Sequence, residues 1–132
     1  MIMFRLLWVI IFALLPVNLT QSTEDMARDI NRAIGQGNAR NMARHFGPNV
    51  ELFIPQSEGT FSKSQSEVIL RDFFSRNLPD TFAVHHQGAS RDGSHYVIGT
   101  LSTKEGNHYR TYYLIRRVSQ TYFMHQLRIE AR

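Results

Sequence analysis

The sequence contains no cysteine, which excludes disulfides, thiolate zinc sites and lipid attachment to a leading cysteine. Proline is sparse, and each of Pro16, Pro48, Pro55 and Pro79 stands where a local pattern ends. No apolar run approaches the roughly 20 residues that a membrane-spanning helix needs. The longest, Leu6 to Leu15, covers ten residues. Neither a glycine-rich phosphate loop nor a Gly-x-Ser-x-Gly elbow occurs. Lys and Arg outnumber Asp and Glu, 15 to 11, but the basic residues are dispersed. Arg40 and Arg44 make a small stripe, and Arg116-Arg117 sit near a strand end. Nucleic-acid binding calls for a denser patch with interleaved aromatics, so a solvated surface is expected and no nucleic-acid partner.

What is present begins with an export address. Arg5 precedes the apolar run, Pro16 breaks it, and Thr20-Gln21-Ser22 offers small residues where a signal peptidase reads. Residues 1–22 are therefore expected to be a signal peptide, and 23–132 one domain with a modest core. The competing assignments are an uncleaved anchor or a buried N-terminal helix. On the export assignment the domain works in the periplasm or outside the cell, with no membrane attachment after cleavage.

From Thr23 the pattern turns helical. Met26, Ala27, Ile30, Ala33 and Ile34 form one stripe, and Gly35 and Gly37 stop it. Asn38 can cap a second short helix carrying Ala39, Met42, Ala43 and Phe46, ended by Gly47-Pro48. Val50, Leu52 and Ile54 alternate as a strand closed by Pro55, and Gln56 to Phe61 reads as a turn or short hairpin arm. Ser62 with Gln65 is a capping box opening a third helix to about Arg76, with Ile69, Leu70, Phe73 and Phe74 as its stripe. That arrangement puts Asp72 on the surface. After Pro79 the period becomes two, giving strands over 81–88, 95–102, 108–118 and 121–130 with short turn-like joins. Short joins force a meander. Helices collected ahead of it predict an α+β fold, three helices packed on a curved antiparallel sheet.

This order resembles the cystatin-like or ketosteroid-isomerase-like cone superfamily, also known through nuclear transport factor two. A closer resemblance rests on VELFIP at 50–55, EGTFSKSQSEVILRDFF at 58–74 and HQLRIE at 125–130. With the leading segment, these runs look like the small exported family termed domain of unknown function 4783. The resemblance implies the cone fold and export from a Gram-negative bacterium. It supplies no established activity and no functional residues.

Strand parity proposes where chemistry sits. Phe123, His125, Leu127 and Ile129 share the more apolar face of the last strand, and Phe82, Val84 and His86 share a face of an earlier one. His86 and His125 are thus expected to point into the cone, with Tyr112 between them, as candidate ligand-binding residues. Three roles stay open for each histidine: satisfying a buried carbonyl or lying at the rim, contacting a ligand, or acid–base catalysis. An isomerase of the ketosteroid type needs an inward carboxylate. Asp92 and Glu105 fall in turns, Asp80 at a strand entry, and Glu51 and Glu130 on the less apolar parities. His85 and His86 project to opposite faces, which disfavours one shared metal ion. The outer face carries more apolar and aromatic surface, Tyr122 and Met124 included, than a solvated sheet needs, and this points to a homodimer over a monomer. The expectation is a non-catalytic domain binding a small ligand or an envelope protein, without cofactor. The alternatives are an isomerase, dehydratase or hydrolase of small substrates, and a structural envelope role.

Overall fold

Ser22 opens the first helix: its side chain accepts a hydrogen bond from the Asp25 amide at 3.1 Å, supplying one of the partners a helix start lacks. The computed structural model describes residues 22–132, so the expected export segment lies outside the described residues apart from Ser22. Helix α1 runs Thr23–Gln36 and buries Met26, Ala27, Ile30, Ala33 and Ile34. It ends at Gly37, whose left-handed backbone (φ 67°) lets its amide bond the Ala33 and Ile34 carbonyls. Asn38 caps the short α2, Ala39–Ala43. Phe46, expected on that helix, instead begins β1 (Phe46–Ile54), because the chain is extended from that residue onward. Pro55 and Gln56 then turn the chain into β2 (Ser57–Ser62), so the expected hairpin arm is a full strand. Ser62 and Gln65 form the reciprocal capping box of α3, Lys63–Arg76.

The meander follows as β3 (Pro79–Ala89), β4 (His95–Thr103), β5 (His108–Val118) and β6 (Thr121–Ala131). All six strands form one sheet in the order β2-β1-β6-β5-β4-β3, with three helices packed against it. The α+β cone is as expected, with one correction. The sheet is mixed, because β1 runs parallel to β6. No short link joins these two strands, so nothing compels them to be antiparallel; α3 and the meander form the crossover between them.

Curvature comes from register shifts. In β3 the partners jump from Val84↔Gly99 to His86↔Ile98, leaving His85 as an extra residue. In β6 Leu114↔Gln126 is followed by Ile115↔Met124, leaving His125 extra. Such bulges bend a strand and increase its twist. Gly99 allows the first of them. A Cβ there would lie 2.5 Å from the Ala83 carbonyl oxygen and 2.7 Å from the Phe82 ring, so the aromatic occupies the space a side chain would take. Among the described residues no helix is long and apolar enough to cross a membrane.

Gly99→Ala is expected to cost about 1–3 kcal/mol of stability through overpacking of the Phe82 ring and the β3 backbone. Urea denaturation measures it; an unchanged midpoint would show that β3 does not press on β4 at this point.

Candidate functional site

Bulges redirect the two histidines that parity placed inside, and Tyr112 lies outside without one. His86 lies opposite Ile98 on the outer face and is exposed, because His85 takes up the extra position and reverses the alternation beyond it. Tyr112, in register with Ile98 and Arg128, is also on the outer face and half-buried. His125 is the bulge residue itself and half-buried, so it does not share the inward face of Leu127 and Ile129. The same shift turns Met124 inward to full burial and leaves Tyr122 packed at the core margin, where both were expected outside. His86 and Tyr112 thus share one outer row, two strands apart, and the three candidates do not surround a cavity.

Side chains fill the cone. Phe46, Val97, Leu101, Thr111, Ile115, Met124 and Leu127 are buried beneath the helices. At their centre Tyr113 is fully buried, and its phenol proton is shared between Asn31 Oδ1 at 2.6 Å and the Ala27 carbonyl oxygen at 3.2 Å. Burial pushes the Tyr113 phenol far above its ordinary value of 10.0. The histidine whose proton affinity the fold alters is His45, on the α2–β1 link. Its pKa is lowered by burial, against the opposing pull of Asp29 at 3.9 Å.

A cleft of about 520 Å³ opens at the rim, between α3, the β1–β2 turn and the start of β5. Its apolar walls are Ile54, Pro55, Ile69 and Phe73; its polar groups are Gln56, Ser57, Asp72, Arg76, Asn77 and Tyr109. These groups are held in place by one another. The Tyr109 hydroxyl donates to Asn77 Oδ1 at 2.8 Å, and Asn77 Nδ2 donates to the Phe73 carbonyl at 3.0 Å at the end of α3. The Tyr109 ring meets Phe73 edge to face, with centroids 5.4 Å apart. Arg76 reaches Asp72 at 3.1 Å and donates to Gln56 Oε1 at 3.3 Å. Gln56 itself has φ 72°, at the turn position after proline where glycine or asparagine is usual.

Sequence reasoning missed this cleft. Asp72 does lie at the surface, as expected, but as the partner of Arg76 one helical turn on. The available signals were the i, i+4 pair of Asp72 and Arg76, the Pro55-Gln56 turn, and the shared parity of Tyr109 with Tyr113.

The outer sheet face carries a second arrangement. Register aligns Phe53, Arg128, Tyr112, Ile98 and His86 in one row across five strands. The Arg128 guanidinium lies 4.4 Å above the Phe53 ring, a cation–π contact. In the adjoining row Leu114 and Tyr96 face each other, both half-buried.

A family model described as domain of unknown function (DUF4783) matches residues 27–130. The fold is similar to a DUF4783 family protein from Bacteroides fragilis YCH46, at 34% identity and TM-score 0.71, over 79% of this chain and 96% of that one. A DUF4783 family protein from Bacteroides uniformis ATCC 8492 gives 31% identity and TM-score 0.73, over 80% and 95%. An NTF2-like protein of unknown function from Cytophaga hutchinsonii ATCC 33406, at 13% identity and TM-score 0.60 over 86% and 94%, shares the fold alone. Among curated proteins no sequence matches the chain.

Tyr113→Phe is expected to cost about 1–2 kcal/mol, the net worth of a buried hydrogen bond plus the acceptors left unpaired. The folded phenol keeps its proton above pH 10, where the unfolded chain's phenol releases it. Stability therefore falls as pH rises past the unfolded value, and Tyr113→Phe removes that part of the loss. Denaturant midpoints across alkaline pH check both; identical alkaline profiles for the two proteins would contradict the assignment.

Proposed function

The chain belongs to the DUF4783 family, a family of unknown function with the NTF2-like fold, and on that footing we propose that it is an exported, non-catalytic binding domain. It acts in the periplasm or outside the cell, needs no cofactor, and takes a small ligand in the rim cleft. The observation that carries this is the cleft's composition: an apolar floor meeting polar side chains that already hold one another in position. Binding sites combine these two features, and prior ordering lowers the entropic cost of binding. Two points favour binding over catalysis. The cleft's one carboxylate, Asp72, is engaged by Arg76 on the solvent side, and the histidines offered for acid–base work lie on or toward the outer face.

The outer row favours a second activity of the same domain, pairing with another copy or with an envelope protein through the sheet face. His86 and Tyr112 then belong to a partner surface, with His125 at its margin. Half-buried Phe53, Tyr112, Ile98, Leu114 and Tyr96 supply the apolar contacts such a face requires.

Thermal-shift screening of the purified protein against small soluble compounds is expected to give hits whose stabilisation shrinks in Tyr109→Phe. Hits indifferent to Tyr109→Phe and Arg76→Ala would place binding elsewhere and sink the cleft. For the outer face, light scattering is expected to report a dimer that Ile98→Arg converts to monomer; a monomeric parent protein would remove the homodimer.

A further inference from the structure

We infer that the rim cleft takes an uncharged, polyhydroxylated ligand of the sugar type, an inference that rests on the cleft being the binding site. Charge comes first. Asp72 and Arg76 are 3.1 Å apart, so the only two ionisable groups of opposite sign in the cleft neutralise each other. An anion brought to Arg76 meets the Asp72 carboxylate, and a cation brought to Asp72 meets the guanidinium. A neutral ligand meets neither repulsion.

Hydrogen-bonding capacity comes second. Gln56, Asp72 and Arg76 end in planar groups that present two polar atoms side by side, while the Asn77 amide and the Tyr109 phenol proton are engaged with Phe73 and with each other. Such groups engage adjacent hydroxyls two at a time, each hydroxyl both donating and accepting. Gln56 uses its Oε1 on Arg76, which leaves the two N–H donors of its amide for a ligand. The C–H face of a sugar ring then has Ile69 and the exposed Pro55 to lie against. The volume, about 520 Å³, falls within the range of small-molecule sites.

Backbone strain is the third observation and independent of the other two. Gln56 holds φ 72° at a turn position that glycine fills without penalty. A glutamine held there against its conformational preference places an amide at the lip of the cleft, and strain of this kind concentrates at ligand clamps. On folding grounds alone glycine is the better residue.

The test is NMR titration of the isotopically labelled protein. The neutral probes are glucose, N-acetylglucosamine and maltose, beside glucuronate, glucosamine and benzoate. At least one neutral sugar is expected to shift the Gln56 and Asn77 side-chain amide signals saturably, ahead of its charged counterpart. Gln56→Gly is expected to fold at least as stably as the parent and to bind that sugar about fivefold or more weakly. Asp72→Asn frees the guanidinium and is expected to turn the preference toward glucuronate. If glucuronate or benzoate shifts these signals and no neutral sugar does, the cleft remains a binding site and the sugar class is overturned. If none of the probes shifts them, the sugar class is again overturned. If in addition compounds from the thermal-shift screen leave them unmoved, the cleft itself fails. Unchanged sugar affinity in Gln56→Gly overturns the role given to the strained turn.

Discussion

Among the register shifts of the sheet, two single-residue insertions decide where the histidines of β3 and β6 point. His85 in β3 and His125 in β6 each face no partner of their own, and every residue beyond them has its alternation reversed. Without the second, Met124 would lie outside and His125 would lie among Leu127 and Ile129. With it, a thioether rather than an imidazole enters the core, and no inward nitrogen at that position needs a partner. The same insertions bend the strands, and a bent sheet lets three helices cover one face. The inward Met124, the outward His86 and part of the curvature follow from these two extra residues.

The curved face is closed by Tyr113, the largest of the fully buried side chains. Its hydroxyl ties β5 to α1 through Asn31 and Ala27, so the centre of the core holds a structural hydrogen bond. Asn77 does similar work at the rim. It receives the Tyr109 hydroxyl and holds the last turn of α3 through the Phe73 carbonyl. The groups lining the cleft are therefore also those that fix α3 against the sheet.

Local rules read well from the chain. Asn38 and the Ser62–Gln65 box start their helices where their chemistry says, and the period-two run after Pro79 is the meander. Parity reads correctly for the inward Leu127 and Ile129, but it put Tyr112 inside although β5 carries no extra residue there. It fails beyond a bulge, because an inserted residue leaves no mark in the alternation of apolar side chains. Gly99 was the one local trace, and its meaning depends on Phe82, far away in sequence. The parallel β1–β6 junction and the cleft were illegible for a related reason. They are made by residues such as Gln56, Arg76 and Tyr109, which only the fold brings together.

Stability explains why a site should be found at the rim. With no cysteine for disulfides this fold depends on its core, and net stability of folded proteins is only about 5–15 kcal/mol. Hollowing the interior means shrinking residues such as Leu101 or Tyr113, and each large-to-small change in a core typically costs about 2–5 kcal/mol. Two such changes approach the whole margin. The rim carries no such cost, because Arg76 and Asp72 there are solvated and partnered in the empty protein. The strain of one turn residue at Gln56, about 1–3 kcal/mol for a conformation of this kind, is smaller than the loss from opening the core. The recognition proposed for the cleft is therefore compatible with a filled core, because the cleft is assembled from the ends of the elements.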